Sequence, residues 1–152
     1  MAKVNLGIQL DVNTRNIQGW KLGTAAARVT DADTHKAVVL DKTLEGTLKL
    51  AVADEEIRGF IESIEPHSAD GQTFGSVLRH AAGARYWVTG AGLVKGDLVV
   101  ADAQAAVGVK NAKDFPALDH HGLTKVKKGT PTTYKWEVVR DRGDGVYLIE
   151  AI

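Results

Sequence analysis

The chain has 152 residues, 44% of them hydrophobic, with 19 basic against 19 acidic side chains and no cysteine. That length buries a sizeable core without help from metals or cross-links, and the absence of thiols excludes disulfides and thiolate metal centres. Balanced charge gives no electrostatic reason to expect nucleic acid or an acidic membrane surface as partner. No window approaches the about 20 apolar residues that span a bilayer, and the opening Met1-Ala-Lys-Val-Asn-Leu-Gly7 lacks a signal peptide's apolar run. A soluble product made in the cytoplasm is expected. Sixteen glycines against three prolines, with many Val, Thr and Ala, favour short strands joined by tight turns, an all-β fold with at most a short helix.

In chain order, residues 1–30 are polar and largely aperiodic, and they predict an extended N-terminal arm ahead of a single β-rich domain over 31–152. Within the arm, Leu6, Ile8 and Leu10 alternate with Gly7 and Gln9 as a short edge strand would. Trp20 stands in polar surroundings. Because an indole in such a place anchors interfaces, Leu6, Ile8, Leu10 and Trp20 are the predicted protein-contact residues.

From Lys36 onward the alternation sharpens. Strands are expected over Ala37–Leu40, Leu44–Val52 and Ile57–Glu65, with Asp54-Glu55-Glu56 as a solvated acidic turn, Glu62 and Glu65 on a wet strand face, and Pro66 as a stop. Val77–Ala82 reads as a further strand, because Gly75 and Gly83 bracket it too closely for a helix. Arg85–Thr89 and Leu98–Ala101 follow, joined by turns at Gly90, Gly92 and Lys95-Gly96-Asp97, then Ala106–Val109. Residues 111–131 read as loop, with His120-His121 and the cationic Lys125-Val-Lys-Lys128. Tyr134–Arg140 and Val146–Ile152 around Asp141-Arg-Gly-Asp-Gly145 predict a β-hairpin. Trp87 and Trp136, inside strands, are assigned to the core.

No catalytic or cofactor pattern emerges. Of the five histidines only His120 and His121 adjoin, and neighbours on an extended chain point to opposite faces, so loop-exposed histidines are expected rather than a metal site. Ser68 or Ser76, His67 or His80, and Asp70 compose a hydrolase triad only on paper, and Phe74-Gly-Ser-Val-Leu78 lacks the second glycine of a nucleophile elbow. Gly90-Ala-Gly-Leu-Val-Lys-Gly96 meets neither phosphate-loop spacing. Arg142-Gly-Asp144 matches an integrin-binding tripeptide, but its glycine has a turn to make. The three lysines at 125–128 lack interleaved aromatics for stacking on bases.

Three stretches together resemble the small capsid decoration, or cement, proteins of tailed bacteriophages: Leu48–Glu65, then Asp70-Gly71 and Gly75-Ser-Val77, then Leu93–Ala101. The resemblance covers residues 36–110 and rests on an Ala-Asp followed by Ile-x-Gly-hydrophobic, here Ala53-Asp54 and Ile57-Arg-Gly-Phe60, and on a hydrophobic-x-x-Gly-Asp-hydrophobic-Val turn, here Leu93–Val99. It implies a compact β-barrel or β-tulip domain without enzymatic activity or cofactor. It further implies a protein that sits on the outer surface of the virion, contacts the major capsid protein and copies of itself as dimer or trimer, and uses its arm for docking. The same turn occurs in β-clip and sandwich modules that bind carbohydrate or protein ligands, which stand as the alternative, with a small hydrolase behind them.

Overall fold

In β3 (Ala37–Leu40), β5 (Gly59–Glu65) and β6 (Thr73–Arg79), neighbouring apolar residues point to opposite faces, and both faces are buried. Val38, Ile61 and Val77 join Leu22 and Leu48 in one cluster, whereas Ala37, Val39, Phe60 and Leu78 join a second. Such two-sided strands must be enclosed on each side. A computed structural model, which describes residues 4–5, 17–23, 29–30, 33–65, 73–103, 118–119 and 123–152, shows how. With β2 (Ile17–Leu22) and β4 (Thr47–Leu50), these strands close a five-stranded barrel in the order β2-β4-β3-β5-β6. The first cluster fills it. The second is pressed between the barrel wall and a five-stranded sheet.

That sheet has the order β10-β8-β11-β12-β7, from β7 (Arg85–Thr89), β8 (Leu98–Ala101), β10 (Val126–Lys128), β11 (Trp136–Asp141) and β12 (Val146–Ala151). Its two edges meet at one corner, where Thr89 forms a parallel bridge with Lys125 and the Thr89 amide donates to the Thr124 carbonyl at 2.8 Å, so an otherwise exposed strand edge is covered there. A two-stranded parallel pair, β1 (Val4–Asn5) with β9 (Leu118–Asp119), completes the pairing among the described residues. The fold is all-β.

Three aromatic rings lock barrel to sheet. Phe60 stacks on Tyr86 at 4.3 Å and meets Trp136 edge-on at 5.1 Å, and the Trp136 indole N–H donates to the Ile57 carbonyl at 2.9 Å. Aromatic pairs in these geometries add about 0.5–1.5 kcal/mol each beyond their burial. Backbone bonds reinforce the join, with the Asp54 amide donating to Ala101 and the Ala101 amide to Glu55.

The structure redraws several sequence expectations. Ile17–Leu22, expected within the arm, is a barrel strand, because Trp20 and Leu22 deliver apolar side chains to the barrel cluster while Gly19 and Lys21 alternate with them on the other face. Leu44–Gly46, expected at the start of a strand, forms a turn with Gly46 at φ 66°, leaving Thr47–Leu50 as the strand. Val126–Lys128, expected as loop, pairs with β8. Trp136 is core, but Trp87 is half-buried on the other face of β7, against Leu123 and Val146. The hairpin and the strands over Ala37–Leu40, Arg85–Thr89 and Leu98–Ala101 stand where alternation puts them. Leu6, Ile8, Leu10 and the strand expected over Ala106–Val109 lie outside the described residues.

Candidate functional site

The motif residues that carry the resemblance shape turns. Leu93 is buried, Gly96 takes φ 92°, and the Asp97 carboxylate accepts the Val94 amide at 3.0 Å, which holds that carboxyl below its ordinary range. Asp54 takes φ 72° at the turn entering the barrel–sheet junction. The acidic turn is more than solvated. Glu56 Oε1 accepts the amides of Thr132 and Thr133 at 2.7 Å and of Tyr134 at 3.1 Å, tying the loop before β11 to the loop before β5. Those bonds, led by the one from Thr133, lower the carboxyl's pKa.

The cationic run is neutralised in place. Lys125, Lys127 and Lys128 pair with Asp102, Asp54 and Asp97 at 3.6, 2.6 and 3.5 Å, so it presents no bare positive stripe to a phosphate backbone. Arg142 pairs with Asp144 across Gly143 at φ 91°, and the tripeptide closes on itself.

The histidines within the described residues are positioned rather than loop-exposed. His80 Nε2 lies 2.9 Å from the Lys135 carbonyl, and its ring meets Trp136 and Tyr134 edge-on. His35 takes φ 75°, and its Nδ1 lies 2.9 Å from the Tyr86 hydroxyl, which donates to the Ile61 carbonyl at 3.3 Å. With its one hydrogen so used, the hydroxyl accepts from an Nδ1–H tautomer. His67, His120, His121, Ser68 and Asp70 lie outside the described residues. Among the described residues, no group of three His, Asp or Glu side chains converges to hold a metal, and no helix is long and apolar enough to cross a membrane.

Glu62 departs from the wet-face expectation. Opposite β6, Ile61 faces Val77 and Ser63 faces Ser76, so Glu62 is the extra residue of a β-bulge. The bulge lets Ile61 and Ile64, three apart, both serve the barrel cluster. Glu62 Oε1 is buried and has no hydrogen-bond partner. Burial pushes this carboxyl up to about 7, and its charge, after burial itself, helps to raise the Tyr86 hydroxyl well above the usual phenol range. In the unfolded chain the group returns to a value near 4.5, so the folded state binds the extra proton. Stability is therefore expected to fall as pH rises from about 4.5 to 7 and to stay low above that, by on the order of 2 kcal/mol once partial exposure is allowed for. Urea unfolding of wild type and Glu62→Gln at pH 5 and pH 8 checks this: the substitution should remove that part of the pH dependence and stabilise the protein at pH 8.

One exposed ring lies on the barrel wall. The β2–β6 register sets Lys21 beside Phe74 and Gly19 beside Ser76, while β5 sets Glu65 on the other side of Phe74. Phe74 is 45% exposed, an apolar ring between a cation and an anion. A side chain at Gly19 would meet nothing within 4 Å, so the glycine leaves an open floor. Trp20 and these residues line a groove of about 640 Å³. Of the predicted contact residues Trp20 lines this groove through its place opposite Gly75, while its indole packs on the barrel cluster; Phe74, which pairs with Lys21 and projects from the other face, was signalled in the sequence only by an apolar residue next to Gly75.

No protein family, curated protein or solved structure matches the chain in comparisons of sequence and fold.

Proposed function

We propose that the chain is a structural virion protein of the decoration type, which binds the outer surface of a phage capsid, bridges neighbouring major capsid subunits and carries no catalytic centre. The observation that carries this reading is the exposed Phe74 ring, set between Lys21 and Glu65 in a groove on the wall of a closed barrel. Aromatic side chains with a polar rim are the usual anchors of protein interfaces, and a barrel offers no free strand edge that would pair indiscriminately. The resemblance over residues 36–110 supports the same reading and supplies the lattice as partner, with self-association into dimers or trimers at its symmetry axes. Stiffness suits the role. A rigid partner loses little conformational entropy on docking, and many lattice sites multiply a modest single contact.

The test is co-sedimentation with empty expanded shells of the major capsid protein encoded in the same genome. Phe74→Glu, which sets a second carboxylate beside Glu65 and removes the ring, is expected to weaken shell binding at least about tenfold, the loss of a single hot-spot anchor, with thermal unfolding unchanged within a few degrees. Undiminished binding by a folded Phe74→Glu protein would remove the groove from the account.

A further inference from the structure

On the side of the barrel facing the loop before β11 lies a second cleft, of about 720 Å³, lined by three cations (Lys42, Lys49, Arg58) and three carboxylates (Asp41, Glu55, Glu56). Each carboxylate is already engaged. Glu56 holds three backbone amides. Glu55 accepts the Val52 amide at 2.8 Å and pairs with Lys49 at 3.9 Å. Asp41 accepts the Thr43 amide and hydroxyl at 2.8 and 2.7 Å.

Arg58 is different. Its guanidinium carbon lies 5.9 Å from the Trp20 ring centre and 5.7 Å from that of Tyr134, within cation–π range of both, and Tyr134 is in turn braced edge-on by His80. Among the described residues, this guanidinium forms no ion pair and no hydrogen bond to any side chain or carbonyl, although three carboxylates share its cleft. Two rings therefore hold in place a fork whose five N–H donors are unused by the described residues. Arg58 is half-buried, which keeps the fork within reach of a ligand in the cleft.

We infer that this cleft is a recognition site for a single carboxylate carried on a partner protein, an Asp or Glu side chain in an acidic segment, with Arg58 as the bidentate donor. Geometry selects the ligand class. A planar carboxylate matches the fork of the one guanidinium in the cleft bidentately, and with three cations against three fixed carboxylates in the lining a doubly charged phosphate finds no surplus of positive charge. Leu40, 39% exposed at the cleft wall, offers apolar contact to the chain that bears it. The inference does not depend on a capsid being the partner, since its test uses no shell.

The experiment titrates the full chain with an acetylated, amidated hexapeptide containing three glutamates, followed by NMR of the Arg58 Nε–H and the Thr132–Tyr134 amides. The same peptide with glutamines, inorganic phosphate and sulfate form separate arms. The acidic peptide is expected to shift those signals saturably and the glutamine peptide not to. Arg58→Gln should weaken binding at least about tenfold, and Arg58→Lys, which keeps the charge but loses the fork, should fall between; it also covers the case in which Arg58→Gln fails to fold. Equal affinity of a folded Arg58→Gln or Arg58→Lys protein would overturn the assignment. So would phosphate or sulfate binding as tightly as the peptide, which would make this a general anion site.

Discussion

Replacing Trp136 by alanine is expected to destabilise the protein by about 4 kcal/mol, a large share of the roughly 5–15 kcal/mol that holds a domain of this size. The indole is fully buried and touches both halves of the fold. Its loss empties the space between Phe60 and His80, which meet it edge-on at 5.1 and 5.2 Å, and leaves the Ile57 carbonyl without its donor in a place water does not reach. At roughly 2–4 °C per kcal/mol for chains of about this length, the melting point should drop by around 10 °C. Trp87→Ala, on the half-buried face, should cost less than half as much. Denaturant unfolding of both variants measures the difference, and equal losses would mean that the barrel and sheet are not held through Trp136.

Gly75→Ala should be comparably damaging, although it adds one methyl group. A Cβ at this position would stand 2.3 Å from the Ser63 carbonyl oxygen and 2.8 Å from Leu22 Cδ1. The first neighbour is backbone and cannot swing aside, so the β5–β6 pair must open where Gly75 faces Ile64. Overpacking of this kind typically costs about 1–3 kcal/mol, and a contact against main chain belongs at the upper end. Gly19→Ala one strand away is the matched control: it meets open space and should stay within about 0.5 kcal/mol of wild type. Thermal melts of the two variants read the contrast directly.

Local alternation was enough to locate β3, β5, β7, β8 and the β11–β12 hairpin, because each of those strands carries its own apolar period. It failed where burial is completed from far along the chain. Ile17–Leu22 looks polar by itself, and only pairing with β6 and β4 turns Trp20 and Leu22 inward. Lys125–Lys128 looks solvated because Asp54, Asp97 and Asp102, which neutralise it, arrive from other turns. Glu62 reads as a wet-face residue until the bulge moves it out of the alternation. For the same reason the contact surface was legible in part: an indole in polar company marks Trp20 and an apolar residue next to Gly75 marks Phe74, but nothing local marks Arg58, whose place beside the Trp20 ring is set by the closure of the barrel.

The proposed role of this β scaffold is to clasp a protein shell. It is tested most directly by mixing the purified chain with empty shells before and after expansion and counting bound copies by sedimentation and electron microscopy. The account predicts saturable, stoichiometric occupancy of expanded shells at a fixed lattice position, with bound shells surviving heating that bursts bare ones. No binding to expanded shells, or binding without any gain in shell stability, would contradict it.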